Sequence, residues 1–233
     1  MDSSLTIMTY NIGNGLANPA QLTWMLENSP ADIVGLQEVT EAQADAMEKS
    51  LSEKYPHQVI FGNGIPGKGL LSKFPIISHE HLQFHDARPD LHVTLDVEGE
   101  PLTAIVAHPC PPRLRYMSYD FLPSTQAQFD CLFDLCSSDT PTILLGDFNM
   151  IERHAFYNRF AKLGLIDAFR SVSNARGYTI PQRVGGIRTV PFLRIDYIWH
   201  TPHFKAVEAW VGQDAGSDHL PVVAKLEWSK QNE

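Results

Sequence analysis

A chain of 233 residues with 43% hydrophobic and 19% charged residues fits one large domain, and length alone also allows two. That composition supplies a substantial core and excludes a disordered chain, and no apolar run approaches the roughly 20 residues that span a bilayer. The formal net charge of −9 argues mildly against a polyanion partner, because phosphate contacts draw on Lys and Arg.

Met1-Asp2-Ser3-Ser4 shows no basic segment followed by an apolar stretch, so no secretory signal is read there. Cys110, Cys131 and Cys136 cannot all pair and lack zinc-ligand spacing. A reduced, cytoplasmic setting is therefore expected; no integral membrane association and a monomeric state are also expected.

In chain order, Leu5 to Tyr10 reads as a strand closed by the turn Asn11-Ile12-Gly13-Asn14-Gly15. A helix is predicted near Pro19 to Asn28, then a buried strand from Asp32 to Gln37 that ends at Glu38. Thr40 can cap a second helix running to about Lys54. Strand patterns follow at 58–61, 70–73, 76–84, 92–97 and 102–107, joined by turns built on Gly and Pro. A helix is predicted over 124–136, a strand over 142–146 and a helix over 154–163, followed by a long Arg-bearing loop. Strands at 195–199, 206–211 and 222–228 close the chain. The pattern is α+β with many strands, best buried as layers of sheet and helix.

Charge is unevenly distributed. No acidic residue falls between Asp167 and Asp196, where Arg170, Arg176, Arg183, Arg188 and Arg194 cluster. A second acid-free stretch, 101–119, carries His108, Arg113 and Arg115. Either these are solvated loops, or they place positive potential beside a site that receives an anion.

Polar residues with one shared placement carry the chemistry. Asn11, Glu38, His108, Asp147 with Asn149, Asp196, and Asp218 with His219 each follow or end an apolar strand. Taken singly, such residues are commonly turn or cap residues. Together, their carboxylate and amide oxygens are hard ligands suited to Mg²⁺ or Mn²⁺. A divalent ion can polarise a phosphoryl oxygen, an Asp can orient or deprotonate water, and a His can hydrogen-bond developing charge.

Thr9-Tyr10-Asn11, Leu36-Gln37-Glu38-Val39, Leu71-Ser72-Lys73-Phe74-Pro75-Ile76, Ala107-His108-Pro109, Gly146-Asp147-Phe148-Asn149, Arg194-Ile195-Asp196-Tyr197 and Ser217-Asp218-His219-Leu220-Pro221-Val222 stand in this order. The order resembles the endonuclease/exonuclease/phosphatase superfamily over essentially the whole chain. The resemblance implies one catalytic domain over 1–233, folded as a four-layer α/β/β/α sandwich of two packed, mostly antiparallel sheets. It implies Glu38 as principal metal ligand, with Asn11 and Asp218 close by and Asp147, Asn149 and His219 within reach of an ion. It also implies that Asp147 activates water, Asn149 helps hold the phosphate, Asp196 orients, and His108 and His219 bond phosphoryl oxygens.

Departures from the family narrow the substrate. His108 stands where enzymes of the exonuclease III and abasic-site type carry a Tyr, and their Trp-rich segment is missing. Thr40 stands where pancreatic-type deoxyribonucleases place a groove-entering Arg, and Leu70-Leu71-Ser72 offers no second Glu. The inositol phosphatase segment is not reproduced at 194–197. What the resemblance leaves is a Mg²⁺- or Mn²⁺-dependent phosphodiesterase, a nuclease or endonuclease on DNA or RNA. The alternative is a phosphomonoesterase or sphingomyelinase-like phospholipid hydrolase. Arg113, Tyr116 and Arg188 are candidate substrate contacts beside the cleft.

Two further motifs read as structure. Gly62 to Gly69 nearly matches a phosphate-binding loop, but Gly69 replaces the Ser/Thr, Pro66 stiffens it and a strand follows, so a turn is expected. His79, His81 and His85 lack carboxylate company and read as a solvated strand.

Overall fold

Short apolar runs separated by Gly and Pro turns fold into strands, and the capped amphipathic segments fold into helices. The structure, a computed structural model, describes residues 4–84, 88–115, 118–136 and 139–229. Its first half contains β1 (Ser4–Asn11), α1 (Pro19–Glu27), β2 (Ile33–Gln37), α2 (Glu41–Ser50), β3 (His57–Phe61), β4 (Lys68–Ser72), β5 (Ile76–Leu82), β6 (Asp90–Val97) and β7 (Glu100–Ala107). A short ribbon, β8 (Arg113–Arg115) and β9 (Ser118–Asp120), precedes α3 (Pro123–Leu135), β10 (Thr142–Asp147) and α4 (Ala155–Lys162). There follow β11 (Ile166–Asp167), α5 (Ala168–Val172), the ribbon of β12 (Arg183–Val184) and β13 (Ile187–Arg188), then β14 (Asp196–His200), β15 (Phe204–Val211) and β16 (Val222–Trp228).

Local chemistry sets the helix ends. The Asn18 side chain accepts from the Ala20 and Gln21 amides to start α1, and Thr40 with Gln43 forms a reciprocal capping box at α2. The second helix stops at Ser50 rather than reaching Lys54. There the Lys54 ammonium turns back to the Leu26, Glu27 and Ser29 carbonyls at 3.0, 2.6 and 2.5 Å, satisfying the open carbonyl end of α1. The Arg-bearing segment after α4 is not one long loop: it holds β11, α5 and the β12–β13 ribbon.

Two six-stranded sheets form, in the orders β15-β16-β1-β2-β4-β3 and β11-β14-β10-β7-β6-β5. Each is antiparallel except for one central pair, β1 with β2 and β7 with β10. Side chains such as Ile7, Leu70, Val93, Val106, Leu145 and Ile198 fill the space between the sheets. Leu22, Leu26, Ala44 and Met47 of α1 and α2 pack on the outer face of the first sheet. Phe129, Leu132, Phe133 and Phe160 of α3 and α4 pack on that of the second. The architecture is the expected four-layer α/β/β/α sandwich. Because both faces are covered, β2, β4, β10 and β14 are buried at every residue and read in sequence as continuous rather than alternating apolar runs.

One glycine fixes how the second sheet delivers its site residues. At Gly146, φ is 154° and a Cβ would lie 1.9 Å from the Ala107 carbonyl oxygen, so β10 and β7 touch just before Asp147 and His108. Gly146→Ala is expected to force those strands apart, destabilising the fold by about 3 kcal/mol or more and lowering the melting temperature by roughly 6–12 °C. A thermal melt of the variant beside the unmodified protein reads this; an unchanged midpoint would refute the close approach.

Candidate active site

The two parallel pairs end side by side. Asn11 closes β1 opposite Gln37 of β2, which runs directly into Glu38. Ala107 of β7 lies opposite Gly146 of β10, so His108 and Asp147 emerge together. Asp196 opens β14 opposite Asp147, and the segment before β16 brings Asp218 and His219.

Glu38 and Asn149 both adopt left-handed backbone, with φ of 60° and 50°, a conformation non-glycine residues hold only where their surroundings impose it. For Glu38 the imposing contacts are visible. The Asn14 amide donates to the Glu38 carbonyl at 3.2 Å, and the Asn63 and Gly64 amides donate to the Val39 carbonyl at 2.9 and 2.8 Å. A Cβ at Gly67 would sit 2.1 Å from that same carbonyl. The near match to a phosphate-binding loop is thus a turn clamped onto the residue after Glu38.

Asp147 Oδ2 is the meeting point of the site. Asn11 Nδ2 donates to it at 3.0 Å, His108 Nε2 lies 3.4 Å away and His219 Nε2 3.7 Å away. Its other oxygen accepts from the Asn149 amide at 2.9 Å, while Asn149 Nδ2 donates to the Pro109 carbonyl at 3.0 Å. His219 Nδ1 lies 3.0 Å from Asp196 Oδ2, which also accepts from Thr179 Oγ1 at 2.5 Å. Ser217 Oγ donates to the Asn11 carbonyl at 2.7 Å and accepts from the His219 amide at 3.1 Å, fixing the segment before β16 against the end of β1. Asp218 Oδ1 lies 3.0 Å from where a Cβ on Gly13 would sit, beside the turn after Asn11. Glu38 Oε1 lies 3.7 Å from His108 Nε2.

Burial and charge set the protonation states. Burial pulls the His219 imidazole down, but the Asp196 and Asp147 carboxylates outweigh it and raise it to about 10, so it is an imidazolium at neutral pH. Burial likewise pushes Asp147 up, and the His219 charge with the His108 hydrogen bond overcomes it, holding Asp147 well below the usual carboxylate range. Asp196 is raised by burial, opposed by His219. His108 is pulled down to about 3 by burial against the pull of Asp147 and is neutral. Glu38 is raised by burial, with Arg88 and Asn11 opposing.

Three site residues fall outside the sequence expectation. Arg88 Nη1 contacts the His108 ring nitrogens and lies 4.0 Å from Glu38 Oε1. Asp90 Oδ1 accepts from the His108 amide at 2.9 Å, and its Oδ2 accepts from Gln128 Nε2 at 2.8 Å. Lys68 is fully buried, with Nζ donating to the Pro66 carbonyl at 3.1 Å. Burial pulls it down to about 8 against Asp90, Glu38 and Asp147. A signal existed for the first two. The β6–β7 hairpin pairs Leu91 with Val106, so the residues just before Leu91 must flank His108.

Other expected residues stand apart from this cluster. Arg113 is exposed on β8, opposite Asp120. Arg188 is 69% exposed, with Nη2 3.7 Å from Asp214 Oδ2. Tyr116 and His85 lie outside the described residues. His81 packs against Phe61, ring centroids 3.7 Å apart. The five arginines after Asp167 are not a free basic patch. Arg194 pairs with Asp167 and Glu152, Arg170 with Glu152, and Arg183 with Asp214. Acid-free in sequence is not acid-free in space.

The donor set fits a divalent cation. Asp147, Asp196 and His219 bring one ligand atom each to within 4.8 Å of one another, but Asp196 and His219 Nδ1 are already engaged with each other. Glu38, whose nearest Lys or Arg nitrogen lies 4.0 Å away, is the less committed carboxylate, with Asn11 and Asp147 adjoining it although their oxygens already accept hydrogen bonds. Around the cluster, five carboxyl groups (Glu38, Asp90, Asp147, Asp196 and Asp218) stand among three basic groups (Lys68, Arg88 and His219), an excess of acid that a divalent cation would offset.

Comparison with known proteins agrees with this picture. A family model described as the Endonuclease/Exonuclease/phosphatase family matches residues 8–219. No curated protein sequence matches the chain. Similar solved structures include an endonuclease/exonuclease/phosphatase from Beutenbergia cavernae, with TM-score 0.77 and 21% identity over 97% of this chain and 72% of that one. D. rerio TDP2 complexed with a single-strand DNA product gives TM-score 0.74 and 20% identity, covering 97% of this chain and 99% of that chain. The human Nocturnin catalytic domain with bound sulfate gives TM-score 0.73 and 18% identity, covering 98% of this chain and 96% of that chain. At these identities the likeness carries the fold alone. No helix among the described residues is long and apolar enough to cross a membrane.

The His219 charge predicts a pH dependence of stability. Its folded value, about 10, lies above the roughly 6.5 of an unfolded histidine, so its stabilisation is complete below about pH 6.5 and is lost as pH rises through 10. In thermal melts with chelator present, the gap between the unmodified protein and His219→Gln should be widest near pH 6 and narrow toward pH 10. A gap constant with pH would mean that His219 is not an imidazolium.

Proposed function

The chain belongs to the endonuclease/exonuclease/phosphatase family, and from that membership we propose that it is a Mg²⁺- or Mn²⁺-dependent phosphodiesterase that cleaves nucleic acid. The observation that carries this reading is the arrangement around Asp147 Oδ2, where an amide donor, two histidines and the neighbouring Glu38 converge at one end of the sandwich. The single-strand DNA product in the similarly folded TDP2 supports nucleic acid as substrate.

In this reading Glu38, with Asn11 and Asp147 adjoining, would hold the ion, which would supply positive charge to offset that on the phosphoryl oxygens. Asp147, ionised throughout the working pH range, aligns a water for attack on phosphorus and takes its proton as the new P–O bond forms. A carboxylate held so acidic is a weak base, so orientation contributes more than basicity. Asp196 fixes the His219 ring through Nδ1, leaving the Nε2 proton to bond a phosphoryl oxygen as charge develops there. Arg88 is a second donor on the His108 side, and Asn149 holds the Asp147 carboxylate through its amide. The ester oxygen leaves as the P–O bond to it breaks.

Nicking of supercoiled plasmid and cleavage of oligonucleotides with Mg²⁺ or Mn²⁺ test the reading. The unmodified protein should cleave, chelator should abolish cleavage, and Asp147→Asn should lower turnover roughly 10²-fold or more with an unchanged circular dichroism spectrum. Hydrolysis of phosphomonoesters or choline-phospholipid vesicles with no cleavage of DNA or RNA would overturn the nucleic-acid assignment. Full activity of Asp147→Asn would overturn the mechanism.

A further inference from the structure

A groove of about 350 Å³ opens beside the site, lined by Gln21 and Trp24 of α1, Arg183 and Arg188 of the β12–β13 ribbon, and Gln213 and Asp214. Trp24 is its unusual member. Helix α1 buries Leu22, Met25 and Leu26 against the first sheet, whereas Trp24 lies off that face and is 64% exposed. An indole left in water contributes little to the fold, and exposed Trp is characteristic of contact surfaces.

The groove is joined to the site by the chain itself. Gly216, also in its lining, leads through Ser217 into Asp218 and His219. The Gln182 amide, one residue before Arg183, donates to the Asp218 carbonyl at 2.6 Å. Gly216 also lies close to the segment after Asn11, a Cβ on it falling 3.2 Å from the Leu16 carbonyl.

Its charge is also specific. Asp214, only 5% exposed, pairs with Arg183 at 2.5 Å and lies 3.7 Å from Arg188. It anchors the first guanidinium and leaves the second, 69% exposed, facing solvent. Two arginines against one aspartate make a local cationic spot on a chain of net charge −9. A flat aromatic face, a largely exposed guanidinium and two side-chain amides are the recognition chemistry of a nucleotide: stacking for the base, charge for the phosphate, amides for the base edge. Bases within a duplex are stacked on each other and offer no face to an indole.

We propose that this groove is a subsite for an unpaired nucleotide flanking the scissile phosphodiester, its base stacked on Trp24 and its phosphate on Arg188. The inference rests on the nuclease reading above and narrows its substrate to single-stranded polynucleotide. Val184 and Ile187 at the ribbon tip, 59% and 73% exposed, offer the competing occupant, a lipid surface.

The test compares Trp24→Ala, Trp24→Phe and Arg188→Ala with the unmodified protein on three substrates: a short oligodeoxyadenylate, its duplex, and bis(p-nitrophenyl) phosphate, which is too small to fill site and groove together. Trp24→Ala should lower kcat/KM for the single strand, relative to that for the small diester, by roughly ten-fold or more through KM. Trp24→Phe should recover most of the loss, and the unmodified protein should prefer single strand to duplex. In chelator, the oligonucleotide should quench tryptophan emission in the unmodified protein but not in Trp24→Ala. Equal losses on oligonucleotide and small diester, or no loss on either, would overturn the subsite while leaving the nuclease reading standing. No cleavage of nucleic acid by the unmodified protein would sink the nuclease reading itself. A Trp24-dependent emission shift with phosphatidylcholine vesicles but not with oligonucleotide would overturn the subsite in favour of a lipid surface.

Discussion

One buried carboxylate organises the molecule's working end. Asp147 is 2% exposed, and an ionised group so placed is tolerated only when its oxygens are hydrogen-bonded and its charge is opposed. Asn11 from the first sheet, His108 and the Asn149 amide from the second, and the His219 imidazolium from the loop before β16 supply those partners. Each arrives on a different segment of chain. The two sheets therefore cannot slide relative to one another without leaving that charge uncompensated, and the site and the sandwich are held by the same interaction.

Topology explains why these segments meet. Each sheet is antiparallel except at one central parallel pair, and strands of a parallel pair deliver their carboxyl ends to the same edge. β1 and β2 deliver Asn11 and Glu38; β7 and β10 deliver His108 and Asp147. Packed face to face, the two pairs place all four groups around one cleft. Gly146, Gly67 and the left-handed Glu38 and Asn149 are the local adjustments that turn side chains at strand ends into a convergent set. They are backbone strains of the kind that persist where surrounding contacts over-determine them.

The two kinds of information in the sequence were unequally legible. Strand ends carrying Asn11, Glu38, Asp147 and Asp196 could be read directly, because a buried apolar run that stops at a polar residue is a local pattern. The helix over 155–162 was also readable, with His154 and Leu163 as its caps. Lys68 was not readable: it sits inside what looks like a glycine turn leading to Leu70, and only tertiary packing shows an ammonium buried among Asp90, Glu38 and Asp147. Arg194 misled in the opposite direction. A stretch without acids suggested positive potential, yet Asp167 and Glu152, distant in sequence, fold back onto it. Charge patterns along a chain report potential only where the chain stays extended, and here it does not.

Electrostatics also reconciles an acidic protein with an anionic substrate. The cluster around Asp147 holds more carboxyl groups than basic ones, an imbalance that a divalent ion would offset where phosphate binds. Binding of such an ion and of a phosphate ester are then coupled in the thermodynamic sense, each lowering the free energy of the other. The neutral state of His108 fits this balance. Pushed down by burial, it adds hydrogen-bonding capacity without adding charge, whereas His219, raised by Asp196 and Asp147, contributes a positive charge near neutral pH where negative charge would develop. Two histidines of similar burial thus do different work because His219 is hydrogen-bonded to Asp196 and faces Asp147, whereas His108, though near Asp147 and Glu38, shares its surroundings with Arg88 and Lys68.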